Sequence, residues 1–118
     1  MRICYLLTRS DTLGGVQIHV KHLSERMVKE GHDSIIIVGG KGSYYRFLNK
    51  HGHNVISLEH LIKSLNPYHD FLAFFELIDI LKKIKPDLIS IHSSKAGVLG
   101  RLAASCLNVP SIFTAHGW

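Results

Sequence analysis

The sequence predicts an α/β domain built on a doubly wound parallel sheet of about five strands, in the order 3-2-1-4-5, with its switch point between the first and fourth strands. Three observations predict it. Apolar runs of strand length alternate with helical segments from one end of the chain to the other. The runs are continuous rather than alternating, as expected of strands covered on both faces. The intervening segments are helical, and right-handed crossovers through them wind the strands into one parallel sheet.

The first run is Ile3 to Thr8. Val16, Val20, Leu23 and Met27 then fall four, three and four residues apart, the spacing of a helix face, and Gly31 stops that helix. Ser34 to Val38 is the second strand, and a short helix follows Ser43 with Tyr45, Phe47 and Leu48. Asn54 to Leu58 is the third strand. Asn66-Pro67 reads as a cap with proline in the first turn, opening a longer helix that Pro86 ends. Its expected apolar stripe is Phe71, Phe74/Phe75, Ile78, Leu81 and Ile84. Asp87 to His92 is the fourth strand. The last helix starts near Ser94 and is expected to bury Leu99, Leu102, Ala103 and Cys106; Ser111 to Ala115 is the fifth strand. No helix follows that strand, although a buried parallel strand needs both faces covered. The 118 residues are therefore expected to be one domain that is a piece of a longer protein, or whose open edge a partner covers.

Composition narrows the function classes without choosing one. Hydrophobic residues make up 46% of the chain and charged residues 19%, the balance of a soluble globular domain. The formal charge is +5 and the pI near 9.4, which suits anionic partners. Nucleic acid is not expected, because no interleaved aromatic and basic surface pattern accompanies the charge. Cys4 and Cys106 read as small core residues in a reducing compartment, not as a disulfide framework. Neither a signal peptide nor a membrane-spanning segment is read in the sequence.

Four loops at the expected carboxyl ends of strands carry the candidate chemistry. Arg9 to Gly15 ends on Gly14-Gly15, where bare backbone N–H groups at a helix start attract a phosphate. The Rossmann G-x-G-x-x-G spacing is absent, which argues against a dinucleotide and hence against an oxidoreductase. Val38 to Ser43 lacks the P-loop spacing, so Lys41 reads as a solvated lysine on a glycine-rich turn. His92-Ser93-Ser94-Lys95 follows the fourth strand and faces the first loop across the switch point. Thr114-Ala115-His116-Gly117 follows the fifth, and its imidazole could act as acid, base or donor to a sugar hydroxyl, or orient the loop. His19 falls within the apolar stripe of the first helix and is expected to be a core histidine. His19 and His22 lack an evident third ligand, so no metal site is expected.

Together these pieces resemble the N-terminal domain of the GT-B fold glycosyltransferases, in particular the retaining family 4 enzymes. The resemblance rests on Gly14-Gly15-Val-Gln-Ile-His-Val-Lys-His-Leu, Glu30-Gly31-His32-Asp33 and Lys85-Pro86-Asp87. It is completed by His92-Ser93-Ser94-Lys95-Ala96-Gly97 with Gly100-Arg101, and by Thr114-Ala115-His116-Gly117. Gln17 stands where the family often has an acidic residue. The loop wording is most like enzymes that build bacterial capsule, exopolysaccharide or lipid-linked oligosaccharide.

The resemblance implies a Rossmann-like, acceptor-binding domain that works with a second, donor-binding domain absent from this chain. Gly14 and Gly15 would approach the diphosphate of a nucleotide sugar, and His116 would sit beside the reacting sugar as the catalytic residue. His92, Ser93, Ser94, Lys95 and Gly117 would line the cleft. No metal and no cofactor beyond the nucleotide-diphosphate sugar is implied. The acceptor would be a glycan or a lipid-linked glycan, the location the cytoplasm or the inner face of the membrane, and the isolated chain inactive. The alternative is a non-catalytic module that pairs with a separate donor-binding chain. Phe71, Phe74 and Phe75 with Lys82 and Lys83 would suit a peripheral membrane contact, although packing of these phenylalanines on the sheet is the stronger expectation. The uncovered last strand leaves homo-oligomers open.

Overall fold

The computed structural model describes residues 1–7, 15–61, 66–92 and 94–113, and of 15–16 and 94–97 the backbone. Its elements are β1 (Arg2–Leu6), α1 (Gly15–Lys29), β2 (Asp33–Gly39), α2 (Ser43–Lys50), β3 (Val55–Leu58), α3 (Pro67–Ile84), β4 (Leu88–Ile91), α4 (Ser94–Leu107) and β5 (Ser111–Phe113). The strands form one sheet in the order β3-β2-β1-β4-β5, every neighbouring pair parallel. That is the doubly wound architecture and the strand order expected from the sequence.

Local chemistry explains the element ends. Gly31, at φ +88°, turns the chain out of α1, and the His32 N–H returns to the Met27 carbonyl. Asn66 caps α3: its Oδ1 accepts from the N–H groups of Tyr68 and His69, with Pro67 at the first position. Lys85 closes α3 in the left-handed region at φ 54°. Asp87 then stitches β4 to β1. Its carboxylate accepts the Arg2 N–H at 2.7 Å, and its own N–H donates to the Arg2 carbonyl at 2.8 Å.

The sheet carries a separate core on each face. On one, Ile3, Tyr5, Leu7, Ile36 and Val38 pack under Val20 of α1 and Tyr44 and Leu48 of α2. The buried Tyr44 hydroxyl donates to the Gln17 carbonyl at 2.6 Å, tying α2 to α1, and burial raises its pKa. On the other, Cys4, Leu6, Ile37, Leu58, Ile89 and Ile91 pack under Ala73, Leu77 and Leu81 of α3 and Ala103 and Ala104 of α4. Gly100 lets α4 lie close: a Cβ there would come within 2.9 Å of Ile91 Cδ1 and Leu6 Cδ2. Burial pushes the Cys4 thiol up to about 12, so it is an inert packing group.

Several side chains face differently from expectation. α3 has apolar residues on nearly every side, so periodicity alone does not resolve its inner face. Ala73, Leu77 and Leu81 sit on the sheet, while Phe71 and Phe75 are exposed. On α4 the small residues Gly100, Ala103 and Ala104 take the inner face, which turns Leu102 and Cys106 outward. His19 is exposed, not a core residue. α2 is capped by the backbone residue Gly42 without a side-chain bond, and Lys41 is exposed beside the Tyr45 ring. At the outer edge Ser111 and Ile112 of β5 are exposed.

The amino edge of the sheet holds an open hollow of about 450 Å³, lined by Ser24, Glu25, Ser34, His51, His53 and Asn54 among others. Burial pushes the His53 imidazole below its usual value against the pull of the Glu25 carboxylate 3.7 Å away. Burial works to raise the Glu25 carboxyl, but Lys21, His53 and His22 together outweigh it and hold it low. The Ser24 and Ser34 hydroxyls satisfy one another at 2.6 Å.

Two stability predictions follow from these contacts. Asn66→Ala removes one cap and lowers unfolding free energy by about 1 kcal/mol, whereas Leu77→Ala empties part of the core under α3 and costs about 2–5 kcal/mol. Urea titration measures both, and equal losses would contradict the packing described. The unfolded His53 takes up a proton near pH about 6.5 while the folded one resists it. Its contribution is thus full above that pH and lost as pH falls through the depressed folded value. His53→Gln should therefore flatten the fall in stability between neutral pH and about pH 5; an unchanged profile would remove His53 as its source.

Candidate functional site

A doubly wound sheet offers its ligand crevice where strand order reverses, at the carboxyl ends of the strands. Here that point lies between β1 and β4, which pair in register from Ile3–Leu88 to Leu6–Ile91. From β1 the chain goes on to α1 and β2, on one side. From β4 it goes on to α4 and β5, on the other. The amino ends of α1, at Gly15, and of α4, at Ser94, therefore both start from this edge. Each brings backbone N–H groups without a helical partner and the positive end of a helix dipole. Eight residues separate the end of β1 from Gly15, and two separate the end of β4 from Ser94, so the second helix start is held tightly at the edge.

His92 sits directly behind that second start. Its N–H donates to the Leu6 carbonyl at 3.0 Å, prolonging the β1–β4 ladder by one bond. Ile89 and Ile91 point into the α3/α4 core, so Ser90 and His92 point to the α1 side of the sheet. The His92 ring is buried, with Nε2 2.7 Å from the Ser90 hydroxyl. The Tyr5 ring lies 6.0 Å from it and the ring of His19, on the second turn of α1, 6.5 Å from it. His92 is thus a bonded, interior histidine that lies between the end of β4 and α1. Nothing in the motif itself pointed to Ser90 or His19 as its neighbours, although Ser90 breaks the apolar run of β4 two residues earlier.

Of the residues singled out from the sequence, the structure brings Gly15, His92 and the backbone of Ser94 and Lys95 to this one edge. Gly14, Ser93, His116 and Gly117 lie outside the described residues. Gln17 is buried in the first turns of α1, where its carbonyl takes the Tyr44 hydroxyl. Among the described residues no group of three or more His, Cys, Asp or Glu could hold a metal ion. The hollow at the amino edge is at the opposite end of the strands from the switch point. The chemistry available at the switch point is that of the helix-start N–H groups, which attract negative charge.

Comparison with known proteins bears on the family and the fold. The family model described as Glycosyltransferase Family 4 matches residues 13–118. An Escherichia coli UDP-Gal:alpha-D-GlcNAc-diphosphoundecaprenol alpha-1,3-galactosyltransferase is 39% identical over 49% of this chain and 15% of its own length. A Campylobacter jejuni N,N'-diacetylbacillosaminyl-diphospho-undecaprenol alpha-1,3-N-acetylgalactosaminyltransferase is 30% identical over 75% of this chain and 23% of its own. An ATP-dependent 6-phosphofructokinase of Pediococcus pentosaceus is 34% identical over 68% of this chain and 27% of its own. Among solved structures, a glycosyltransferase from Rickettsia africae superposes with TM-score 0.82 at 24% identity, over 99% of this chain and 30% of that one. Anabaena Alr3699/HepE, in complex with UDP and glucose, superposes with TM-score 0.76 at 16% identity, over 96% and 29%. The chain thus spans about a quarter or less of these curated relatives and about a third of these solved chains. Its sheet order, its paired helix starts at the β1/β4 edge and the family match over residues 13–118 make this chain a member of glycosyltransferase family 4, with the fold of the N-terminal half of a GT-B enzyme.

Proposed function

We propose that this domain is the acceptor-binding half of a nucleotide-sugar-dependent, retaining glycosyltransferase that extends a glycan or lipid-linked acceptor in bacterial surface polysaccharide synthesis. The observation that carries it is the meeting of the α1 and α4 amino ends at one sheet edge, in a chain of this family. The diphosphoundecaprenol in the names of two relatives supports a lipid-linked acceptor. The neighbour solved with UDP and glucose supports a nucleotide-sugar donor. Among the described residues no helix is long and apolar enough to cross a membrane, which is compatible with work at the cytoplasmic membrane surface.

The chemistry assigns each residue a part. The bond from the anomeric carbon to the diphosphate breaks, and the acceptor hydroxyl oxygen bonds to that carbon from the same face. The hydroxyl proton passes to the leaving phosphate. Negative charge therefore grows on the diphosphate, where Gly14, Gly15 and the start of α1 present N–H groups. His116 hydrogen-bonds the transferred sugar. Ser93, Ser94, Lys95 and Gly117 line the cleft, and His92, held by Ser90, positions the 92–95 turn. The donor specificity pocket belongs to a second domain, and no metal or further cofactor is called for.

The test is a screen of nucleotide-sugar donors on the full-length protein with a polyprenyl-diphosphate-linked acceptor. His116→Ala should lower kcat about 100-fold or more without moving the melting temperature; unchanged turnover would take His116 off the catalytic list. Residues 1–118 alone should transfer no sugar, and turnover by the pure fragment would overturn the division into two domains. Phosphorylation of a sugar phosphate from ATP, without sugar transfer, would move the protein to the kinase relatives instead. Ser90→Ala should raise the donor KM by about two- to tenfold, the worth of one lost hydrogen bond, with kcat nearly constant. Identical kinetic constants in that variant would leave His92 without a positioning part.

A further inference from the structure

The two helix starts at the switch-point edge are held there by different means. Two residues join β4 to α4, so the chain itself sets where α4 begins. Eight residues join β1 to α1. At about 3.5 Å of reach per residue, that connection exceeds the spacing of packed helices, about 10 Å, so its length does not set where α1 begins. The start of α2 is held as that of α4 is. Three residues join β2 to α2, and the first of them, Gly40, donates its N–H to the Leu58 carbonyl at the end of β3, at 3.0 Å. Tyr44 carries that position across to α1. It is the second residue of α2, buried in one core with Val20, Val38 and Leu48, and its hydroxyl donates to the carbonyl of Gln17, the third residue of α1, at 2.6 Å. The bond thus joins the first turns of two helices that both leave the carboxyl edge of the sheet. Gln17 is buried as well, so water does not compete for its carbonyl, and burial raises the pKa of the hydroxyl, which stays a donor. Farther along the same seam the contacts are looser or more remote. Lys21 lies 5.6 Å from the centre of the Phe47 ring, and the Ser24–Ser34 bond joins α1 to β2 more than two turns from its start.

We propose that Tyr44 is a positioning residue for the donor diphosphate: through the Gln17 carbonyl it sets the height and direction of the N–H groups at the start of α1, and with them the affinity for the diphosphate. The inference rests on the diphosphate role proposed above for that helix start. The first N–H groups of α1 have no helical acceptor and are free to donate to phosphate oxygens. They belong to the same turn as the Gln17 carbonyl, so whatever moves that carbonyl moves them. A bond from N–H to a charged phosphate oxygen is strong but weakens steeply as its angle closes, so affinity follows the direction of the turn. Loss of the hydroxyl leaves no orphan behind. As a helical carbonyl, that of Gln17 still takes the N–H four residues on, from Lys21, and a phenylalanine ring fills the space of the tyrosine ring. What disappears is the tether between α2 and the first turn of α1.

The experiment is titration calorimetry of the full-length protein with UDP, GDP and ADP, and with uridine, guanosine and adenosine as probes that lack the phosphates. Wild type should bind at least one diphosphate more tightly than its nucleoside. Tyr44→Phe should weaken the tightest diphosphate by about two- to tenfold, the worth of one hydrogen bond, and leave its nucleoside unchanged. In turnover the same variant should raise the donor KM by that factor with the acceptor KM constant, a split that a smaller folded fraction does not produce. Ser34→Ala is the control. It removes the Ser24–Ser34 bond far from the helix start, so it should lower the melting temperature and yet bind the diphosphate as wild type does. Unchanged diphosphate affinity in Tyr44→Phe, an equal loss in Ser34→Ala or an equal loss of nucleoside binding overturns the proposal. So does a wild type that holds none of the three diphosphates. A diphosphate weakened by Tyr44→Phe in a protein that transfers no sugar would sink the glycosyltransferase reading and leave the part of Tyr44 standing. Sugar transfer by wild type, with diphosphate affinity unchanged in Tyr44→Phe, would do the reverse.

Discussion

The structure depends on the register of β1 between β2 and β4. Arg2 begins β1 opposite Asp33, and Ile3 lies opposite Leu88. The Asp87 carboxylate holds the Arg2 N–H, and Asp87 and Arg2 exchange a further backbone bond. The Arg2 guanidinium reaches the Ile84 carbonyl at the end of α3 and, at 3.5 Å, the Asp33 carboxylate at the start of β2. The Arg2–Asp33 pair is partly exposed and adds little stability by itself. The stitch matters for register instead. A slip of one residue would turn Cys4 and Leu6 from the α3/α4 core to the α1/α2 side, and Tyr5 the other way. With the register held, Leu6 and Ile91 end level at the edge from which the chain goes on to α1 and α4.

That constraint explains why the Lys85-Pro86-Asp87 segment reads so clearly in the sequence. Lys85 reverses the chain in a left-handed conformation, buried Pro86 ends helical hydrogen bonding, and Asp87 makes the β1 contact. Each residue type is demanded by a backbone event, and backbone events leave legible marks. The strands, the cap at Asn66-Pro67, the glycine exit of α1 and the strand order were readable for the same reason. Element ends were less so: β1 begins at Arg2 and stops at Leu6, and β2 runs from Asp33 to Gly39, because pairing, not hydropathy, sets where a ladder begins and ends.

Side-chain direction was the illegible part. α3 and α4 carry more apolar residues than the sheet has room for, so the inner face goes to whichever allows the closest approach. On α4 that is Gly100, Ala103 and Ala104, with Ile91 and Leu6 filling the space a Cβ would take. On α3 it is the row through Ala73, Leu77 and Leu81. Phe71 and Phe75 are left outside, while Phe74, Ile78 and Ile84 of the expected stripe pack against the core. The same logic hides the partner of His92. Ser90 reads as a weak point in a strand, and its hydroxyl bond to the imidazole exists only once β4 lies beside β1 with α1 overhead.

The two faces of the sheet are finished with different kinds of contact. On the α1 side, the interior is finished with polar contacts: Tyr44 to the Gln17 carbonyl, Ser24 to Ser34, Ser90 to His92. Such bonds are directional and tie α2 to α1, α1 to β2 and His92 to β4. On the α3/α4 side, contact is by small residues and apolar packing, which is non-directional and leaves a greasy exterior. Because β1 and β2 contribute side chains to both cores, the sheet ties the directional contacts on one face to the apolar packing on the other.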